Sequence, residues 1–335
     1  MTKERRCFSW IVHTCVALVC AALPLSARAQ TSARSRDSVS VRPSTSPARN
    51  LEIPPEVTKA LDKIYSGDPD GAMPVFRQLQ QREPGNPLGY ILEAEARWWK
   101  IYCASSTVKW GMVNAWKRGP QRGDNEYLAL LDREIDLSNG AIAQHDSAEM
   151  RLYAGIGLAM KAQLYGLQGG NHATAHSAVA ARREFLRAVQ MNPNLADAYT
   201  GLGLYNYYVD TLAPVVKVLR FLMGIPGGNR ELGIQQLERG MKDGQLTAVD
   251  ARFYLATNLR TYDHDYQRAL TIAQPLAARY PGNPIFLLVI GNLQQELGNH
   301  APAAATFHAA GDAPIHDSAC AARVRQLAGE MPASR

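Results

Sequence analysis

His172 and His176, in "HATAH", stand one helical turn apart, the spacing that can hold a metal ion between two imidazoles on one face. No glutamate lies between them and no third ligand is close in sequence, so the pair reads as a polar entry into a helix. "DHD" at 263–265 has ligand-like residue types, but it falls where one helical segment gives way to the next, and aspartate is ordinary there. Gly227-Gly228 could cradle a phosphate only if Lys-Ser/Thr followed and a strand preceded, and neither does. There is no Gly-x-Ser-x-Gly, no carboxylate pair in a distinguishing context and no cysteine with a plausible histidine partner. The expectation is a non-enzymatic protein, with no catalytic residue, metal site or cofactor.

Aromatic and basic residues make a second constellation. Trp98, Trp99, Trp110 and Trp116 fall within nineteen residues, in "RWWKIYCASSTVKWGMVNAWKRG". Trp98 and Trp99 are expected in the core. Trp110 and Trp116 stand beside Lys109, Lys117 and Arg118, where pinning a loop and binding a partner are equally good accounts. Further on, "LAPVVKVLRFLM" (212–223) is apolar, but twelve residues fall short of the roughly twenty needed to cross a bilayer. Lys217 and Arg220, three apart, would share one face of a short amphipathic helix that also carries Phe221. Asn229 is placed to cap the next helix, with Glu231 near its positive end.

These segments sit in a chain with an export signature. Lys3, Arg5 and Arg6 precede an apolar run from Ile11 to Leu25, and Ala27-Arg28-Ala29 matches a cleavage site, so residues 1–29 are expected to be a signal peptide. Residues 30–50 are rich in Ser, Arg and Pro and are expected to be a disordered linker. Each of these two segments holds four basic residues and one acidic, so the 36 basic and 30 acidic residues of the chain reduce to 28 of each beyond Asn50. A nucleic-acid binder should carry a basic excess on its fold. None remains, and nucleic acid is set aside as a partner. Cys103 and Cys320 are the cysteines outside the leader; far apart in sequence, they are expected to be free buried thiols, although an exported protein can form disulfides.

The folded part, 51–335, repeats itself. "YTGLGLYNYY", "YAGIGLAMKA" and "LLVIGNLQQELG" place a large residue, an aliphatic and a glycine at one spacing: Tyr199, Leu202, Gly203; Tyr153, Ile156, Gly157; Leu287, Ile290, Gly291. Second segments follow with Ala72-Phe76, Ala181-Phe185 and Ala303-Phe307, and "EPGNP" (83–87) and "YPGNP" (280–284) punctuate two units. This matches the tetratricopeptide (TPR) pattern, in which stacked helical hairpins bury a shared core. The expected fold is all-α: a TPR-like α-solenoid of about six hairpins and a capping helix, with almost no strand. Taking Ala94, Gly157, Gly203, Thr257 and Gly291 as equivalent, the last step is 34 residues, the plain repeat, and the earlier ones are 63, 46 and 54. The excess is assigned to insertions 102–123, 166–180 and 209–229 between paired helices of adjacent units, emerging on one edge.

The stretch "LGLYNYYVDTLAPVVKVLRFLMGIPGGNRELGIQQLERG" resembles a segment of the TPR family of the mitochondrial outer-membrane inclusion-clearance protein, through Gly224, Gly228, Asn229, Arg230, Glu231 and Gly233. It resembles exported bacterial TPR proteins more closely. The resemblance implies a helical scaffold for protein contacts and no chemistry. The expected function is a protein-interaction scaffold of the cell envelope, periplasmic or secreted, that binds a protein or peptide through Trp110, Trp116, Lys217, Arg220 and Phe221. The alternative is peripheral membrane contact through 209–229.

Overall fold

In the computed structural model, residues 51–212, 217 and 224–331 are described. The expected signal peptide and linker, and most of the 212–223 segment with Arg220 and Phe221, lie outside them. Thirteen α-helices run among the described residues. The first six are α1 (Pro55–Tyr65), α2 (Pro69–Arg82), α3 (Leu88–Ser105), α4 (Asp124–Gln144), α5 (Ala148–Gln168) and α6 (Asn171–Met191). Next come α7 (Ala196–Thr211), α8 (Arg230–Asp243), α9 (Ala248–Asn258) with a π-helical turn (Leu259–Asp263), and α10 (Tyr266–Arg279). The last are α11 (Pro284–Glu296), α12 (His300–Gly311) and α13 (Ser318–Glu330). Consecutive helices pack against each other throughout.

Short polar residues set the starts. Asp68, Ser147, Asn229, Asp265, Asn283 and Asp317 each accept a hydrogen bond from a backbone N–H in the first turn of the helix that follows. The two Pro-Gly-Asn-Pro turns fall between α2 and α3 and between α10 and α11, as their prolines require.

Three expectations need correction. A two-stranded antiparallel hairpin occupies part of the first insertion, β1 (Ser106–Lys109) and β2 (Met112–Ala115), with Ser106 opposite Ala115 and Lys109 opposite Met112. The second insertion, 166–180, is no separate loop: α5 and α6 are each 21 residues long and meet at Gly169-Gly170, so the extra residues lengthen both helices. That lengthening shifts the register by two. A Cβ on Gly155 would lie 2.6 Å from the Phe185 ring, just as one on Gly291 would lie 2.6 Å from the Phe307 ring, whereas Gly157 faces Glu134 of α4. Gly155 is therefore the counterpart of Gly291.

The third correction is covalent. Cys103 of α3 and Cys320 of α13 form a disulfide, with Cα atoms 5.3 Å apart and 217 residues between them in sequence. Sequence distance had argued for free thiols, but early helices return to late ones along a seam. Asn283 Nδ2 donates to the Tyr65 carbonyl (2.8 Å), and Tyr280 Oη and Arg279 both reach Asp62 (2.8 and 3.0 Å). Gln245 Nε2 donates to the Leu51 carbonyl. Lys100 bridges Asp70 and Asp317. Tyr65, Trp99, Tyr102, Phe253 and Phe286 fill the seam in tilted and edge-to-face pairs, with ring centroids 5.1–5.9 Å apart.

Candidate functional site

The hairpin between α3 and α4 is built from both ends of the chain. Tyr102 Oη donates to Asn114 Oδ1 (2.5 Å), and Asn292 Nδ2 of α11 donates to the Gly111 carbonyl (2.8 Å). Arg260, fully buried in the π-helical turn, donates through Nη2 to the Val113 carbonyl (2.5 Å) and through Nη1 to Asn292 Oδ1 (3.0 Å). Its partners are neutral, and burial pushes the guanidinium down to about 10. Below the hairpin, Arg118 grips Asp124, and the Arg118 N–H donates to the Leu167 carbonyl at the end of α5 (2.9 Å). Gln168 also donates to Asp124 (2.7 Å). The first two insertions therefore meet on one edge.

At the tip, Trp110 and Gly111 are the two central residues, with φ of +52° and +77°. Two positive φ values mark a type I′ turn, which favours Asn-Gly and is sterically costly for tryptophan. Trp110 is 73% exposed. Its ring meets Trp116 edge-on at 5.4 Å, and the Lys109 ammonium lies 4.2 Å from the Trp110 centroid and 5.4 Å from that of Trp116. Trp116 is half-buried, and its Nε1 has no partner among the described residues. Residues 106–123 contain four cations and no carboxylate.

The predicted site residues thus divide. Trp110 and Trp116 come together with Lys109, while Lys217 pairs with Asp210 (3.1 Å) near the end of α7. Trp98 and Trp99 are core, as expected, and Trp98 Nε1 donates to Tyr254 Oη (2.8 Å). Asn229 caps α8 by accepting from the Leu232 N–H, and Arg230 pairs with Asp263 of the π-helical turn. Asp263 also accepts from Tyr207 Oη (2.7 Å), which accounts for part of "DHD". Asp265 caps α10. No cluster of three metal-ligating side chains occurs among the described residues, and no described helix is long and apolar enough to cross a membrane.

A second constellation escaped sequence reasoning. Glu95 of α3 and Asp250 of α9, 155 positions apart in sequence, share a hydrogen bond. Tyr65 Oη donates to Asp250 Oδ2 (3.0 Å) and Trp99 Nε1 to Glu95 Oε1 (2.7 Å). Both residues are half-buried by exposed area, and loss of hydration around the carboxyls raises both. Glu95 is driven well above the usual range, with the Asp250 charge adding to the effect. Asp250 reaches about 7 against the opposing hydrogen bonds from Tyr65 and Glu95. The two line a cavity of about 60 Å³ with Trp98, Met160, Thr200 and Tyr254. That is room for a few waters, well below the roughly 300 Å³ of the smallest ordinary ligand pockets.

No protein-family model matches the chain, and no curated protein matches it.

Proposed function

We propose that the protein is a non-enzymatic interaction scaffold of the cell envelope, a TPR-like solenoid that captures a protein partner through the β1–β2 tip. The observation that carries this reading is Trp110: a large apolar side chain held out in solvent, at a backbone position where tryptophan is disfavoured. Retaining strain and exposed aromatic area together suits a contact residue, and neither serves the fold. Lys109, against the two tryptophan rings in a segment that carries no carboxylate of its own, suits an acidic, partly apolar partner surface.

The helical hairpins support the repeat reading, since Gly155–Phe185 and Gly291–Phe307 repeat one packing contact in two units. The interior offers less to a partner. Aromatic packing fills the seam, so the usual concave route of repeat scaffolds has little open volume here. The disulfide supports an oxidising compartment, in line with periplasmic or secreted localisation.

Site-specific photo-crosslinking in native envelope material tests the proposal. A probe at position 110 should yield a discrete adduct that a probe at the exposed Gln267 on α10 does not. Equal labelling from both positions would remove the assignment. The same cationic aromatic tip favours peripheral membrane contact as the second reading. Flotation of the mature protein with anionic vesicles, lost on Trp110→Ala, would select it.

A further inference from the structure

Tyr65, Asp250, Glu95 and Trp99 form, in that order, a hydrogen-bonded chain from α1 through α9 to α3, across the seam where early helices meet late ones. We infer that the Glu95–Asp250 pair is a pH-sensitive latch: a proton held between the two carboxyls closes the seam, and its loss loosens α1 and the first half of α3 from α9.

The surroundings give the pair no other way to balance its charge. Tyr65 faces it from α1, Tyr127 from α4, Asp197 from α7 and Tyr254 from α9. All are phenols or acids. The other elements at the cavity present neutral side chains, Met160 and Gln163 from α5 and Phe185 from α6. Arg77 of α2 and Arg97 of α3 are taken by Glu93, Arg97 also by Glu126, and Arg252 of α9 donates to the Ile272 carbonyl (3.2 Å). A doubly ionised pair would thus face like charge among Trp98, Trp99 and Tyr254, with only a small wet cavity for relief.

The direction follows from the raised carboxyls. A group that holds its proton more tightly in the folded than in the unfolded chain stabilises the fold fully in acid, and loses that contribution as pH rises through its folded value. For Asp250 the loss runs from the ordinary carboxylate range to about pH 7. The latch is therefore tight in mild acid and loose above neutrality. The Cys103–Cys320 bond lies eight residues beyond Glu95 on α3, about 12 Å along the helix, so the far end stays pinned while the Glu95 end moves.

Hydrogen exchange on the full, oxidised chain tests this. After correction for intrinsic exchange rates, protection of α1 and residues 88–96 should fall at least tenfold between pH 5.5 and pH 8. Asp250→Asn keeps the Tyr65 and Glu95 partners without a titrating proton, and should hold the acid-state protection at both pH values. Glu134→Gln, which removes another buried carboxyl, should keep the wild-type fall. Equal wild-type protection at both pH values, an undiminished fall in Asp250→Asn, or its disappearance in Glu134→Gln would each overturn the latch. If Asp250→Asn does not fold, Glu95→Gln takes its place. A carbon-13 titration of the wild type then decides, and both carboxyls titrating below pH 5 would overturn the proposal.

Discussion

The guanidinium of Arg260 donates to the backbone carbonyl of Val113, 147 residues earlier in the chain, and this contact holds the β-hairpin to the π-helical turn. Asn292 completes the arrangement by accepting from Arg260 and donating to Gly111. Asn292→Ala should therefore orphan a buried charged donor and a hairpin carbonyl together. We expect a loss of about 1–3 kcal/mol in denaturant unfolding. Faster exchange at Val113 should accompany it. An unchanged midpoint would show that the hairpin is held by other contacts.

Gly203 of α7 and Gly233 of α8 face each other where the two helices cross: a Cβ on either would stand 2.8 Å from the carbonyl oxygen of the other. Backbone cannot swing aside, so Gly203→Ala should destabilise by about 1–3 kcal/mol. Gly157→Ala meets side chains only, the Glu134 carboxyl and Ile135, which can shift where backbone cannot, and should cost less. Thermal melts that reverse this order would contradict the crossing geometry.

How much of this was legible beforehand follows from the range of each interaction. Asn229, Asp265 and the proline turns act within a few residues, and their roles were read correctly or nearly so. Trp98 and Trp99 are expected in the core of the second unit, and both are buried there. The disulfide, the Glu95–Asp250 pair and the Arg260–Val113 contact join residues more than a hundred apart, and local periodicity carries no signal for them. The hairpin was missed for another reason. Its strands are four residues each, and its turn is Trp-Gly where Asn-Gly would have announced it.

That turn yields a prediction of its own. Trp110→Asn restores the preferred residue at a positive φ, so hairpin stability should rise by about 1 kcal/mol. Crosslinking or vesicle binding through the tip should fall at the same time. A variant that loses stability would mean that the Trp110–Trp116–Lys109 stack is structural.

Glu134 of α4 is fully buried with one hydrogen bond, from Ser138 Oγ (2.8 Å), and burial pushes its carboxyl up to about 8. Its proton is held more tightly in the folded chain, so its contribution is complete in acid and is lost as pH climbs from the ordinary carboxylate range to about 8. Glu134→Gln should flatten that part of the stability–pH profile and gain most relative to wild type at pH 8, by several kcal/mol at about 1.4 kcal/mol per pH unit. Parallel profiles for the two proteins would place the proton elsewhere.

Replacing Cys103 and Cys320 by serine should lower stability by about 2–5 kcal/mol, since the bridge closes a long loop. Thiol titration of the unfolded wild type should find no free thiol from this pair before reduction and two after it.

The same bridge orders events during synthesis. Cys103 leaves the ribosome long before its partner and can pair with it only once Cys320 follows, 217 residues later. Oxidation is thus one of the last covalent steps in maturation. Once it is made, a single proteolytic cut anywhere between the two cysteines leaves one covalently joined molecule, whose fragments separate only when a reductant is present.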